Sequence, residues 1–185
     1  MGIHSLSILN DLIQVKSEEL KTGFIDSLGF YDLVNSYSSS IYILCAVIFC
    51  FWMYRANKNT RMLGIVNLKF SPSLAVGSFF IPILSLYWPY KAIKEIWKGS
   101  FSETVSWQDG SSSPLIILWW LCFLVSIIGT QLAKLMKPAS PSPSEFFNFL
   151  CGIISMQLIS AISMILITII VVSINKQQNK KYKRL

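Results

Sequence analysis

Hydrophobic and polar positions along this chain are segregated into long blocks. No Asp, Glu, Lys, Arg or His occurs in residues 33–54, 70–90, 110–133 or 146–175. A helix needs about 20 predominantly apolar residues to cross the hydrocarbon core of a bilayer, and each block is long enough. The pattern predicts an all-α fold, that of a polytopic helical membrane protein. Its four hydrophobic helices are expected at about residues 39–54, 71–90, 114–134 and 145–175.

The residues before the first block have a different pattern. Residues 5–20 combine leucines and isoleucines with charged side chains, which predicts an amphipathic helix on the membrane surface or against the bundle. Residues 22–38 form a second, weakly amphipathic stretch. We therefore divide the chain into an N-terminal amphipathic or interfacial segment (1–38), a single helical membrane domain (39–175) and a basic tail (176–185).

The second block is interrupted by prolines. Ser71-Pro72 is typical of a helix start, with a capping serine and proline at the first helical position. Pro82 then lies in mid-segment and Pro89 at its end. Because an interior proline removes a backbone hydrogen bond and clashes with the preceding turn, this helix is predicted to be broken. It is either a kinked span or a re-entrant segment that turns back.

A short interfacial helix is predicted directly after this block. Lys91, Lys94, Glu95 and Lys98 share one face by their spacing, whereas Ile93, Ile96 and Trp97 lie on the other. We group Trp97 with Ser71, Pro72, Pro82 and Pro89 as the structural motif of the helix break.

Charge gives a prediction of sidedness. The chain carries 16 Lys+Arg against 9 Asp+Glu, a net charge of +7. The bases flank the hydrophobic blocks, which is typical of cytoplasmic loops rather than of nucleic-acid binding. The tail alone has five bases and no acid, so we expect a multi-pass protein of the cell membrane with a cytoplasmic C-terminus. The N-terminus is inside for four crossings and outside for the re-entrant version.

One set of residues is a candidate binding site. Trp52, Arg55 and Asn59 share a helical face just beyond the first block. With Lys91 and Lys94 they are predicted to line a groove for an anion, a lipid headgroup or a partner. The competing interpretation is a helix end with a snorkelling arginine.

The sequence offers little for catalysis or metal binding. His4 is the single histidine, and the four cysteines lack zinc-type spacing. No HExxH, P-loop or GxSxG motif occurs. We predict no catalytic residue, no metal and no cofactor, and a non-catalytic bundle that binds the bilayer, anionic lipid, a membrane protein partner or its own copies, but not nucleic acid. The alternatives are a small oligomeric transporter or channel subunit and, less favoured, a membrane-embedded redox or lipid enzyme.

A run of motifs from Trp52 to Ser100 resembles a known family. The motifs are Trp52-x-x-Arg55-Ala56-x-x-Asn59, Leu63-Gly64, Phe70-Ser71-Pro72, Ala75-Val76-Gly77, Phe80-Ile81-Pro82, Leu86, Pro89-Tyr90, Glu95-Ile96-Trp97 and, further on, Trp119-Trp120. They are similar to those of the bacterial membrane family catalogued as domain of unknown function 4328. The resemblance implies an integral protein of the bacterial inner membrane and implies no known activity.

Overall fold

The computed structural model describes residues 2–135 and 143–184. Within these residues the regular secondary structure is helical, apart from one isolated parallel bridge between Val66 and Ser106, and loops connect the helices. The α-helices are α1 (Gly2–Met62), α2 (Pro72–Gly77), α3 (Trp88–Phe101), α4 (Pro114–Leu135) and α5 (Pro143–Tyr182). Single 3-10 turns lie at Leu84–Leu86 and Trp107–Asp109. The predicted all-α fold is confirmed.

Three of the described segments are long and apolar enough to cross a membrane: Ser36–Met62, Pro114–Leu135 and Ser144–Tyr182. They correspond to the first, third and fourth predicted hydrophobic helices. Helix α5 continues beyond residue 175, where the prediction ends it, to Tyr182. The continuation is reasonable because residues 176–182 contain good helix formers and no proline or glycine.

The second predicted helix, at residues 71–90, is not one continuous helix. The Ser71 side chain accepts a hydrogen bond from the Leu74 N–H at 3.1 Å, so α2 begins as the sequence predicts, but it ends after six residues at Gly77. Pro82 has no N–H to donate, and in a helix its ring would clash with the Ser78 carbonyl. Pro89 then occupies the first turn of α3. The prolines therefore break this block into α2, a 3-10 turn and the start of α3.

The predicted boundary at residues 38 and 39 does not interrupt the backbone, because α1 is one helix of 61 residues. Hydroxyl groups along it bond back to carbonyls four residues earlier, such as Thr22 Oγ1 to the Glu18 oxygen at 3.0 Å and Ser40 Oγ to the Ser36 oxygen at 3.3 Å. These bonds satisfy polar side chains within the helix. By contacts the chain forms two compact units, 1–47 and 48–185. The described apolar side chains of the first unit, such as Ile25 and Phe30, are exposed.

The core lies in the second unit and draws on all five α-helices, with Ala75 contributed by α2. Its fully or nearly fully buried members include Met53 and Ala56 from α1, Ala92, Ile93 and Ile96 from α3, Ile116, Trp119 and Trp120 from α4, and Ile170 and Ile174 from α5. Helices α4 and α5 pack along each other, and the Ser163 hydroxyl of α5 donates to the Trp119 carbonyl of α4 at 3.5 Å. This core fixes the ends of α1, α3 and α5, where the polar residues collect.

Candidate functional site

After α1 the chain turns sharply and enters a loop. This loop is held by hydrogen bonds to the segment that follows α3. Gly64 has φ +81°, the left-handed conformation that commonly ends a helix. The Val66 N–H donates to the Val105 oxygen at 2.9 Å, and Trp107 Nε1 donates to the Asn67 oxygen at 3.0 Å. The loop is thereby brought alongside residues 105–107, and its last residues reach the junction of α1 and α3.

The peptide groups of Phe70 are held from both sides by polar side chains, of which Asn57 and Glu95 are buried and Arg61 is exposed. Asn57 Nδ2 and Arg61 Nη2 of α1 donate to the Phe70 carbonyl at 3.1 and 2.8 Å. The Phe70 N–H donates to Glu95 Oε1 of α3 at 3.1 Å. Arg61 Nε also donates to Asn57 Oδ1 at 3.2 Å, which fixes the amide's orientation. We call Asn57, Arg61, Phe70 and Glu95 the clamp, because together they tie α1 to α3.

Glu95 is the acidic member of the clamp and is only 2% exposed. Burial raises its pKa above the ordinary value, since removing a carboxylate from water disfavours the charged form. The N–H groups of Phe70 and Lys69 and the positive charges of Arg61 and Lys69 act in the opposite direction and offset part of the pKa rise. The carboxyl group therefore sits where its protonation state affects the junction of α1 with α3.

A second buried polar cluster joins α1, α3 and α5 around Gln178. Its Nε2 lies 3.0 Å from the Ala56 oxygen, 3.1 Å from Thr60 Oγ1 and 3.0 Å from Ser100 Oγ. The Thr60 and Ser100 hydroxyls donate to the backbone, to the Ala56 and Ile96 oxygens. Their lone pairs are thus available to the amide.

Helix α5 also reaches the C-terminal end of α3. Lys181 Nζ donates to the Gly99 oxygen at 3.2 Å and to the Ser102 oxygen. A cation at a helix C-terminus is favourable because the last carbonyls carry partial negative charge. We refer to the region where α1, α3 and α5 meet, with the loops 63–71 and 102–113, as the polar end.

Basic side chains are concentrated at the polar end. Between residues 55–109 and 176–184 there are twelve Lys and Arg and three acids, Glu95, Glu103 and Asp109. An open groove runs along α5 there, lined by Val172, Asn175, Lys176, Asn179, Lys180 and Lys183. We call it the basic groove. Asn179 also borders a smaller groove shared with Asn59 and Met62 of α1.

The structure places the predicted binding residues in two groups. Trp52 Nε1 donates to Asn175 Oδ1 at 2.9 Å, and Asn59 Nδ2 lies 3.4 Å from Gln178 Oε1, so both contact α5. Arg55, between them on the helix, is exposed.

The two predicted lysines have contacts on their own helix region. Lys91 Nζ lies 4.2 Å from the centre of the Tyr87 ring, and Lys94 Nζ lies 5.7 Å from that of Tyr90. The structure thus brings Trp52 to the basic groove, places Asn59 in the adjoining smaller groove and places Lys91 and Lys94 beside tyrosines.

The helix-break residues have structural positions. Ser71 and Pro72 cap and start α2, Pro82 lies in the turn before the 3-10 segment, and Pro89 is buried at the start of α3. Trp97 is 8% exposed and stacks on Phe101 with ring centres 4.5 Å apart. Its buried Nε1 has no hydrogen-bond acceptor among the described residues.

Sequence reasoning missed the polar side chains that join the helices at the polar end. Asn57, Arg61 and Gln178 lie in polar stretches that read as solvent-exposed, and Glu95 was assigned to the basic face of α3. A signal was available for Glu95. It is followed directly by Ile96 and Trp97 and is the one acid in the run of bases from Lys91 to Lys98.

Metal binding has no evident place in the described ranges, 2–135 and 143–184, where no group of three or more His, Cys, Asp or Glu is arranged to hold an ion. No curated protein and no solved structure matches the chain significantly. A family match, described as Domain of unknown function (DUF4328), covers residues 26–176. It includes α2, α3, α4, the clamp and all the motifs from Trp52 to Trp120 on which the resemblance rests. The chain therefore belongs to the DUF4328 family.

Proposed function

We propose that this protein is a non-catalytic, multi-pass protein of the bacterial inner membrane that binds anionic lipid headgroups at its polar end. The observation that carries the proposal is the concentration of twelve bases against three acids where α1, α3 and α5 meet. Cytoplasmic ends of membrane helices collect Lys and Arg, so we place the polar end and the C-terminus on the cytoplasmic side.

The basic groove supplies the principal contacts in this proposal. Lys176, Lys180 and Lys183 follow each other at helical spacing on α5, and the side-chain amides of Asn175 and Asn179 line the same groove. Each lysine near an anionic surface contributes about 1 kcal/mol of attraction. Amide N–H groups add neutral donors to phosphate oxygens.

The predicted residues of α1 extend this surface. Trp52 borders the basic groove through its contact with Asn175, and Asn59 lines the smaller groove that shares Asn179 with it. Arg55 is exposed between them, and a guanidinium can form paired hydrogen bonds to a phosphate. Lys91 and Lys94, held beside Tyr87 and Tyr90, form a second basic surface at the same end.

The buried acid supports a structural rather than catalytic role. Glu95 accepts from the Phe70 N–H and lies among core residues of α3. A general acid or base must be within hydrogen-bond reach of a substrate, whereas this carboxyl is occupied by the backbone.

The test compares charge removal at the groove with equal removal elsewhere. The purified protein is titrated with phosphatidylglycerol and with phosphatidylcholine, and bound lipid is counted by native mass spectrometry. One variant combines Lys176→Gln, Lys180→Gln and Lys183→Gln, and the matched control combines Lys16→Gln, Lys21→Gln and Lys134→Gln. We expect the first variant to lose phosphatidylglycerol affinity by on the order of tenfold or more and the control to retain it. Equal affinities for the two variants would contradict the proposal.

A second series examines the α1 residues at equal membrane abundance. Arg55→Ala and Asn59→Ala are expected to weaken phosphatidylglycerol binding, and Arg55→Lys is expected to weaken it as well because the paired geometry is lost. Unchanged binding in all three variants would reduce this cluster to a helix-end anchor.

A further inference from the structure

The beginning and the end of the charge-free block at residues 70–90 lie close to each other in the structure. The rings of Phe70 and Trp88 lie 5.8 Å apart, edge to face. The Phe70 N–H also donates to Glu95, two turns into α3. A helix that crossed the hydrocarbon core would separate its ends by about 30 Å. The chain therefore leaves the polar end at Phe70 and returns to it at Trp88.

The part of the chain between these ends has an exposed apolar tip. Phe80 is 75% exposed, Ile83 is 83% exposed and Leu86 is 52% exposed. Adjacent exposed side chains of this size indicate an interaction surface. The nearest charged residues in sequence are Lys69, eleven positions before Phe80, and Lys91, five positions after Leu86.

The other side of the tip is packed against the candidate membrane spans. Phe79 contacts Phe49 of α1 and Trp120 of α4, with ring centres 5.9 and 6.5 Å apart. Trp120 Nε1 donates to the Leu86 carbonyl at 3.2 Å. The exposed face of the tip is therefore continuous with helix surfaces that are apolar enough to face acyl chains.

Many polar groups of this segment are satisfied within it. The Ser78 and Phe80 N–H groups donate to the Leu74 and Gly77 carbonyls, and the Ser85 N–H donates to the Ile81 carbonyl. The Ser85 hydroxyl donates to the Pro82 carbonyl at 2.7 Å. Non-helical backbone is tolerated at membrane depth where it is buried against protein, and Phe79 and the Leu86 carbonyl contact α1 and α4 on one side of this segment.

We infer that residues 71–87, which we call the wedge, enter the hydrocarbon core from the polar end and turn back to the same face without crossing. Tyr87 and Tyr90 stack on each other at 6.2 Å, and Lys91 lies over the Tyr87 ring. Aromatic and basic side chains of this kind settle at the headgroup level, which marks the point where the wedge leaves the membrane. The occupant of the exposed tip is the acyl chains of the bilayer.

The sidedness of the wedge is tested by labelling single cysteines. In a background with the four native cysteines replaced by serine, Lys69→Cys, Lys91→Cys and Lys183→Cys are treated in sealed vesicles of known orientation with a membrane-impermeant maleimide. We expect all three to react from the same side. Reaction of Lys69→Cys and Lys91→Cys from opposite sides would overturn the inference, because the segment would then cross.

The depth of the wedge is tested by fluorescence quenching. Ile83→Cys, with Phe80→Cys as a second position, carries an environment-sensitive fluorophore, and Val105→Cys is the control, since Val105 is an exposed apolar residue of the loop 102–113. We expect the tip probes to be quenched severalfold more by lipids with acyl-chain nitroxides than by aqueous iodide, and the control to show the reverse. Iodide quenching of the tip equal to that of the control would overturn the inference. Protection from both quenchers would also overturn it, because a second copy or another protein would then cover the tip. Neither measurement depends on headgroup binding at the basic groove.

Discussion

Glu95 Oε1 accepts a hydrogen bond from the Phe70 N–H at 3.1 Å, although the two residues are separated by the whole charge-free second block. The Phe70 carbonyl is meanwhile held by Asn57 and Arg61 of α1. One residue thus receives contacts from two helices, and the carboxyl that completes the arrangement is almost fully buried. The clamp therefore couples the path of the loop to the junction between α1 and α3.

Removal of the Glu95 carboxyl is expected to destabilise the fold. Glu95→Ala leaves the Phe70 N–H without its acceptor and opens a cavity, and we expect a loss of about 2–4 kcal/mol in the free energy of unfolding. Glu95→Gln keeps an acceptor oxygen at nearly the same volume and is expected to cost less than half as much. Both are measured by unfolding in mixed micelles with tryptophan fluorescence. Equal losses in the two variants would show that the acceptor oxygen has no role.

The titration of the Glu95 carboxyl should also affect how the free energy of unfolding depends on pH. Because its pKa is raised in the folded state, the folded protein binds more protons than the unfolded chain between the unfolded and folded pKa values. The free energy of unfolding then falls as pH rises through that interval. The ordinary pKa of a glutamate carboxyl is about 4.5. Below this pH the wild type is expected to have its largest advantage in stability over Glu95→Gln, and this advantage is expected to decline as the pH rises above it. A difference that rises with pH would contradict this assignment.

Gln178 is expected to be the most sensitive polar residue of α5. Gln178→Leu removes the donor shared by the Ala56 oxygen, Thr60 and Ser100. The Ala56 oxygen keeps the Thr60 hydroxyl as a donor, but the Thr60 and Ser100 oxygens lose theirs, and buried acceptors left without a donor cost about 1–3 kcal/mol in the free energy of unfolding. Asn179→Leu, one position further and exposed, is the matched control and is expected to change stability by less than about 0.5 kcal/mol. The two variants are compared by thermal unfolding in the same detergent, and similar melting temperatures would contradict the buried network.

Two glycines should respond to alanine in opposite directions. A Cβ at Gly110 would overlap the backbone carbonyl of Lys98, so α3 or the following loop must shift. We expect Gly110→Ala to cost about 1–3 kcal/mol. A Cβ at Gly152, in α5, meets nothing within 4 Å, and Gly152→Ala is expected to stabilise by about 0.5–1 kcal/mol because alanine is the better helix former. Unfolding measurements on both variants give the sign of the change in the free energy of unfolding. Destabilisation by Gly152→Ala would indicate that α5 is packed differently.

The elements that sequence predicts best are those with a local cause. The charge-free blocks identify α4 and the apolar parts of α1 and α5 because hydrocarbon excludes charge. Ser71, Pro72 and Pro82 identify the start and the break of the second block because their effects act within one helical turn. The continuity of α1 through residue 39 was not predicted, since a change in composition does not by itself end a helix.

The polar end was only partly predictable because its partners are distant in sequence. The face of Trp52 and Asn59 was identified from spacing, but its contacts with α5 join residues 123 and 119 positions apart. Asn57 and Gln178 read as surface residues because nothing near them in the chain indicates burial. Their burial follows from the packing of α1, α3 and α5, which no single segment specifies.

The side of the membrane on which the polar end lies is the most direct test of the account. Headgroup binding by the basic groove and the return of the wedge both require the polar end to lie on one side of the membrane. The positive charge of the polar end assigns that side to the cytoplasm. The measurement is the paired activity of two C-terminal fusions after Leu185, a fluorescent protein and alkaline phosphatase, at equal expression. We predict a fluorescent fusion and an inactive phosphatase. An active phosphatase with a dark fluorescent fusion would contradict the account.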